Sequence, residues 1–574
     1  MSGDRGPAAA GSGKTGGRAA LRVYSTLSRR KQPFETVHPG EVRMYVCGPN
    51  VYGPSHVGHA MSYAVFDVVR RYLAYRGYRV RYVQNFTDIE DRIIETAAAE
   101  HTTIESLAER YIARFLAEMD GLGVHHADVY ARATQAIPNM VEIIRALEAR
   151  GLAYAAGGDV FFRVTAFPGY GRLSGRTLDE MMAGARVEVD PRKEHPMDFV
   201  LWKAAKPGQP AWDSPWGRGR PGWHIECSAM SIEHLGLQLD IHGGGQDVIF
   251  PHHENEIAQS EGYTGRPFVR YWMHNGLLRL VGGPEKMTRH LGGIITIREA
   301  LDRYHPDTLR LFFLSSHYRN PLTWTDDALA AAAGGAERLR TARQNAEDLL
   351  AALDPAGAAP PARAGAPTPV RVVAPDPPDR QGAALTSGCA RPAGRAPSSG
   401  AEGVLGALAE TTVAARSAFE VAMDDDFNTP EALAALFDLV AALNRVTDAA
   451  ARRNAPPAPE AAGTVRAALA TLVELSDILG LRLETSLTPV QSAALRDLAV
   501  RLSQERPDLF KPEERPDGEA AAQAGPALVE YIARGRIEAR RRKDWATGDR
   551  VRASLSELGI LLEDTPSGFK WRVR

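Results

Sequence analysis

An α/β fold is predicted for residues 21–330, and three stretches carry the prediction. An apolar run from Val42 to Val51 has the length and composition of a buried strand, and Pro54 with Ser55 breaks it. Phe66, Val69 and Leu73 then recur on one helical face, and Tyr78 to Val83 supplies a second strand. Strand, helix and strand within about 40 residues form a parallel βαβ unit, so the sheet is expected to be Rossmann-like, with ligands at the carboxyl ends of its strands.

The remaining elements follow in order. Residues 100–150 read as mainly helical, and an inserted connecting region of about 120–222 reads as irregular, with short strands around Asp159 to Val164. Leu239 to His242 resumes the α/β pattern as a strand, Gly243-Gly-Gly245 reads as a turn, and the helix after it carries His252 and Glu256. Thr296-Ile-Arg-Glu299 has the form of a capping box, so Lys286 to Gly293 is a loop abutting a helix start, and 306–316 continues helically. Residues 331–353 form a helical connection. Residues 354–403, dense in Pro, Ala and Gly and containing Cys389, are expected to be a disordered insertion, because such a composition buries too little surface to offset its ordering entropy. An Ala- and Leu-rich helical domain is expected over 404–488 and a small α+β unit over 489–574, with a Pro- and Glu-rich loop at 506–526.

Residues 1–20 read as a flexible leader. Gly13-Lys14-Thr15 imitates the end of a phosphate loop, but Ala8 stands where that pattern requires Gly and no strand precedes it. A chain of 574 residues holds several domains and an ample core. Three cysteines, no signal-peptide pattern and no long apolar run predict a reducing cytoplasm, without disulfides or membrane insertion. A net charge of -2 excludes a globally basic nucleic-acid binder and leaves local patches as the only polyanion contacts.

Cys47, Cys227, His252 and Glu256 are candidate metal ligands. Zn²⁺ accepts thiolate, imidazole and carboxylate, and a His and a Glu four residues apart share one helical face. The competing reading is two ordinary buried thiols, since no local Cys-x-x-Cys pair supports the metal. His56-Val-Gly-His59 stands where the first strand hands over to its helix. There Gly58 allows close backbone approach, and free N–H groups with the helix dipole favour a phosphate, so the two imidazoles are candidates for stabilising charge on an α-phosphate.

Cys47-Gly-Pro-Asn-Val-Tyr-Gly-Pro-Ser-His56-Val-Gly-His59, followed by Asn85-Phe-Thr87-Asp88-Ile-Glu-Asp91, resembles the start of a class I aminoacyl-tRNA synthetase. Gly222-Trp-His-Ile-Glu-Cys227-Ser-Ala-Met, His242-Gly-Gly-Gly-Gln-Asp247, Phe250-Pro-His252-His-Glu-Asn-Glu256 and Met423-Asp-Asp-Asp-Phe-Asn-Thr-Pro430 narrow the resemblance to the cysteinyl-tRNA synthetase family. It covers about residues 21–350 and 404–574. The resemblance implies activation of L-cysteine by ATP, with Mg²⁺, to cysteinyl-adenylate and pyrophosphate, then transfer to the 3′ end of tRNA(Cys) by a monomer. It implies one zinc on Cys47, Cys227, His252 and Glu256 that selects the substrate thiol. It also implies ATP contacts from His56, Gly58, His59, Gly245, Lys286 and Arg289, the catalytic set being His56, His59, Lys286 and Arg289. Cys47, Thr87, Trp223, His242 and Asp247 would line the cysteine pocket. A soft metal separates thiol from hydroxyl where shape alone discriminates poorly. Residues 404–488 would then bind tRNA and 489–574 would read the anticodon, with Arg534, Arg536, Arg540, Arg541, Arg542, Lys543 and Trp545 as the basic and aromatic run.

Lys286-Met-Thr-Arg-His290 departs from the Lys-Met-Ser-Lys-Ser pattern of the class, keeping both cations but placing a guanidinium for an ammonium and His290 for a small serine. A functioning but slower loop is expected. Asp91-Arg-Ile-Ile-Glu95 lacks the lysines common in the family, so pyridoxal-phosphate-linked side chemistry is not expected. The alternatives are an impaired paralogue that binds tRNA and a related ligase that joins cysteine to a small amino-sugar. A zinc hydrolase built on His253-Glu254 is disfavoured, because Ile257 stands where a second His is needed.

Overall fold

The computed structural model describes residues 20–184, 190–280, 294–353, 401–453, 461–484, 487–516, 521–565 and 568–573. Outside them lie the leader up to residue 19, the Lys286–Gly293 loop with Lys286 and Arg289, and residues 354–400 with Cys389.

The βαβ expectation holds. β1 (Glu41–Val46), α1 (Val57–Tyr75) and β2 (Arg79–Phe86) are followed by α2 (Ile104–Leu122), β3 (Val129–Arg132), α3 (Trp223–Leu235), β4 (Leu239–Gly245), α4 (Glu254–Thr264) and β5 (Val269–Asn275). The five strands pair in the order β3-β2-β1-β4-β5, all parallel, which is the Rossmann arrangement. Chain order reverses between β1 and β4, and in such sheets the crevice outside the strands' carboxyl ends at that point receives the ligand. Phe66, Val69 and Leu73 of α1 are buried against the sheet as the helical spacing requires. Thr103 caps α2 by accepting from the Ser106 N–H, and Gly123, at φ 71°, ends it in the left-handed conformation.

Three expectations need correction. Gly243 to Gly245 are not a turn but the end of β4, in register with Met273 to Asn275 of β5. Their missing side chains make room for neighbours, because a Cβ on Gly243 would stand 2.4 Å from the Phe66 ring. His252 precedes the regular helix rather than lying in it: Ile249–His253 is a wide turn with Phe250 extended, and α4 starts at Glu254. Val129–Arg132, read as part of a helical stretch inside the insertion, is a sheet strand paired with β2. The insertion therefore begins after it. It contains an antiparallel sheet of Ala153–Ala156, Asp159–Phe162, Phe199–Ala204 and Gly219–Pro221.

Helices Asp326–Leu353, Ala401–Asp424, Thr429–Arg453 and Ala461–Ile478 follow as expected, and their apolar faces share one core with the sheet domain. The last unit, Pro489–Glu505, Ala521–Arg541, Trp545–Glu557 and the hairpin Ile560–Thr565 with Gly568–Val573, has its own core around Leu495, Ile532, Val551 and Ile560. Among the described residues no helix is long and apolar enough to cross a membrane.

Candidate metal centre and active-site cavity

A cavity of about 550 Å³ opens at the carboxyl ends of β1, β2, β4 and β5. Cys47 leaves β1 and donates its backbone N–H to the Gly243 carbonyl at 3.1 Å, which ties the two strands together at the switch point. Gly48 must be glycine, since a Cβ there would fall 1.6 Å from the Asn85 carbonyl oxygen.

The four predicted ligands converge. One donor atom from each of Cys47, Cys227, His252 and Glu256 lies within 4.8 Å of all the others. Cys47 Sγ is 3.8 Å from Cys227 Sγ and 3.8 Å from Glu256 Oε1, and His252 Nε2 is 3.1 Å from the same oxygen. A tetrahedral ion with metal–sulfur bonds of about 2.3 Å sets two sulfurs about 3.8 Å apart. The donor set and its spacing therefore fit such an ion. Burial, then Cys227 and Glu256, push the Cys47 thiol well above its usual range, and burial drops His252 well below its own. Both shifts follow from loss of water around groups that a cation would otherwise stabilise.

Cys47 and Glu256 belong to a second group, with His242 and His253, of the same compactness. Cys47, shared by both groups, lines the cavity with Cys227 and His252, whereas His242 and His253 do not, so an ion held by the first group would face the cavity more fully. The histidines behind act on the ligands. His242 Nε2 bonds Glu256 Oε2 at 2.7 Å, His224 Nδ1 bonds His252 Nδ1 at 2.9 Å, and His253 contacts Cys47 Sγ at 3.2 Å while its other nitrogen meets His274. Such partners orient ligands and tune their basicity. His242 thus lies behind Glu256, and its ring, stacked on Trp272, is not among those that line the cavity.

Trp223, 37 % exposed at the start of α3, stacks on His252 at 4.3 Å and lines the cavity. Thr87, just past β2, donates its hydroxyl to Glu226 at 3.0 Å and accepts from the Asn85 amide. Glu226 is buried, and desolvation pushes its carboxyl well above the usual range. Sequence reasoning passed over Glu226, His224 and His274, although the first two stand inside the Trp223-to-Cys227 motif. Their density of titratable groups was the available signal.

On the other side of the cavity, the His56 and His59 rings stack at 3.8 Å at the α1 N-terminus, and the His56 N–H donates to His59 Nδ1. Gly58, Gly245 and Asp247 also line the cavity. The segment beyond residue 293 returns here: the Val57 N–H donates to the Ile295 carbonyl, and the predicted Thr296–Glu299 capping box is formed.

In the last unit the basic run is mostly paired. Arg536 is 1 % exposed and grips Asp564 with both terminal guanidinium nitrogens, Arg540 meets the same carboxylate, and Arg542 reaches Asp508 and Glu538. Arg536 is a core residue. Arg541, which lies 3.8 Å from Glu538, is exposed, as are Lys543 and Trp545, whose ring Arg540 faces.

A family model described as the tRNA synthetases class I (C) catalytic domain matches residues 33–334, and a DALR domain model matches residues 418–484. The chain is 43% identical over 555 residues to a Pelotomaculum thermopropionicum protein named cysteine–tRNA ligase, covering 96% of this chain and 99% of that one. A Dehalococcoides mccartyi protein of the same name is 45% identical over 558 residues, covering 96% and 100%. Mycobacterium tuberculosis methionyl-tRNA synthetase in complex with methionyl-adenylate shares the fold, with TM-score 0.52 at 16% identity over 80% of this chain and 94% of that one. Near-complete coverage, the matched catalytic domain and the converged Cys47, Cys227, His252 and Glu256 lead to one conclusion: the chain belongs to the cysteinyl-tRNA synthetase family of class I.

Proposed function

We propose that the chain is a zinc-dependent cysteine–tRNA ligase, which joins L-cysteine to ATP as cysteinyl-adenylate, with Mg²⁺, and passes the cysteinyl group to tRNA(Cys). The observation that carries this reading is a compact group of two thiols, an imidazole and a carboxylate, three of whose members line the same cavity as the His56–His59 pair at a helix N-terminus. Zinc held by Cys47, Cys227, His252 and Glu256 would bind a thiol and disfavour a hydroxyl, which selects cysteine over serine. The chain's own residues do the rest. Trp223 packs on the small substrate, while Thr87, fixed by Glu226, presents its hydroxyl to the polar end. His56 and His59, with the α1 N-terminal amides, steady the charge that grows on the α-phosphate, and Gly58 and Gly245 let the nucleotide approach the backbone. Lys286 and Arg289 are assigned to the departing pyrophosphate. Asp247 at the cavity mouth is assigned to the adenylate side. Exposed Arg541, Lys543 and Trp545 are assigned to tRNA, and action as a cytoplasmic monomer is part of the same reading.

The amino-sugar ligase is disfavoured by the helical and C-terminal units, which the DALR match and the separate last core support. Cysteine-dependent exchange of pyrophosphate into ATP tests the activity, with serine expected almost inert and purified tRNA(Cys) charged. A zinc-loaded protein that exchanges serine as readily as cysteine would remove the thiol-selection claim, and activation without tRNA charging would remove the ligase claim.

A further inference from the structure

The Met423–Pro430 motif takes no part in the site described above, yet it contains two consecutive non-glycine residues with positive φ. Between the helices ending at Asp424 and starting at Thr429, Asp426 and Phe427 both adopt left-handed backbone, at φ 68° and 54°, and both are buried. Neither is glycine. Such conformations persist only where surrounding contacts over-determine them, and they cluster at functional positions.

Asp426 supplies those contacts. Its backbone N–H donates to the Arg22 carbonyl, and its Oδ1 accepts from the Tyr24 N–H at 2.8 Å and the Tyr318 hydroxyl at 3.0 Å. Its Oδ2 accepts from Arg319 Nε at 2.9 Å. The segment so held abuts the cavity. The Gly276 N–H donates to the Tyr318 carbonyl at 2.8 Å, a Cβ on Gly276 would lie 2.1 Å from the Asn320 carbonyl oxygen, and the Gln246 side-chain amide donates to the Arg319 carbonyl. Gly276, Leu277 and Leu278 line the cavity, and Leu278–Leu280 pairs with Leu322–Trp324, the strand that follows the clamped segment.

We propose that Asp426 is a positioning residue for the nucleotide side of the cavity: through Tyr318 and Arg319 it sets the height of the Gly276–Leu278 floor and couples that floor to the seating of the helical domain. The inference rests on the reading that this cavity binds ATP. Among the described residues the partners of Asp426, Tyr318 and Arg319 include none of the four candidate metal ligands, and the nearest link to them is indirect, from the strand of Tyr24 through Thr26 and His274 to His253 beside Cys47.

Asp426→Asn tests it in the full-length, zinc-loaded protein. Asparagine keeps an oxygen for Tyr24 and Tyr318 but removes the charge and turns an N–H toward Arg319. The KM for ATP in cysteine-dependent exchange is expected to rise about tenfold, with the KM for cysteine and the zinc content within about twofold of wild type. Removing the stranded guanidinium with Arg319→Met in the same chain should recover part of the loss. ATP affinity is also read directly by calorimetry, so binding without exchange in the wild type would overturn the activity reading and leave the positioning role standing. Where Asp426→Asn does not fold, Tyr318→Phe is expected to raise the same constant about threefold. ATP and cysteine constants that move together, or an ATP constant that moves in neither variant, would overturn the positioning role.

Discussion

Replacing His242 by Phe would test which layer of the metal centre that residue serves. Its Nε2 lies 2.7 Å from Glu256 Oε2, and both side chains are fully buried. Phenylalanine preserves the stacking on Trp272, which the imidazole makes at 4.6 Å and 20°. The chief loss is one hydrogen bond on a buried carboxylate, about 1.5–3 kcal/mol, or about 10- to 150-fold in an equilibrium constant, while the larger ring also presses on Tyr45 and His253. Groups that orient metal ligands typically tune affinity by about 10- to 100-fold, so two independent routes reach the same interval. Titration of metal-free protein with zinc against a chromophoric chelator measures it. His242→Gln, which keeps an N–H donor, should recover most of the affinity, while Cys227→Ala, which deletes a donor atom, should lose more than His242→Phe. Zinc affinity in His242→Phe within about twofold of wild type would refute the orienting role. A raised cysteine KM with unchanged zinc affinity would return His242 to the substrate contact expected from the sequence.

Gly243→Ala would drive a methyl group to 2.4 Å from the Phe66 ring and should cost about 1–3 kcal/mol, read as a lowered thermal midpoint that Phe66→Leu partly restores. A midpoint equal to wild type in the single variant would contradict the close approach. Arg310, fully buried and 2.6 Å from Asp67 of α1, also donates to the Leu479 and Leu122 carbonyls. Asp67 keeps Arg71 at 2.9 Å when Arg310 is removed, so Arg310→Met should cost about 1–3 kcal/mol, chiefly for the stranded carbonyls. A thermal midpoint equal to wild type would deny these contacts. In the last unit, the hydrogen bond from Arg536 holds the Asp564 carboxyl at about 2, below the ordinary 3.8. A depressed folded value means that the stabilisation is complete above about pH 4 and is lost as pH falls toward about 2. The difference in thermal midpoint between wild type and Asp564→Asn should thus narrow between about pH 5 and about pH 2.5, and a constant difference would argue against the ion pair.

The clustered donor group was legible because thiol, imidazole and carboxylate are chemically conspicuous, and because His252 and Glu256 are four residues apart, close enough to meet in one turn. The roles of His242, His224 and His253 were not legible. Alternation along β4 says only that a side chain leaves one face or the other, and whether that face holds substrate or a ligand's back depends on what packs there. The glycine run misled for a related reason. Three residues without side chains read locally as a turn, but here they form a strand whose missing side chains make room for Phe66 of α1. Arg536 likewise reads in sequence as one cation of the basic run, whereas in the fold the hairpin brings Asp564 against it.

Periodicity, caps and chemical type are properties of residues within a turn or two of one another, so the amino-acid sequence alone determined the βαβ start, the Thr296 cap, the helical region and the identity of the four donors. The order of strands, the choice of which donors face the cavity and the clamp of Asp426 on Tyr318 and Arg319 join residues far apart along the chain. No local pattern encodes them, since each depends on which surfaces remain to be buried once the neighbouring elements have packed.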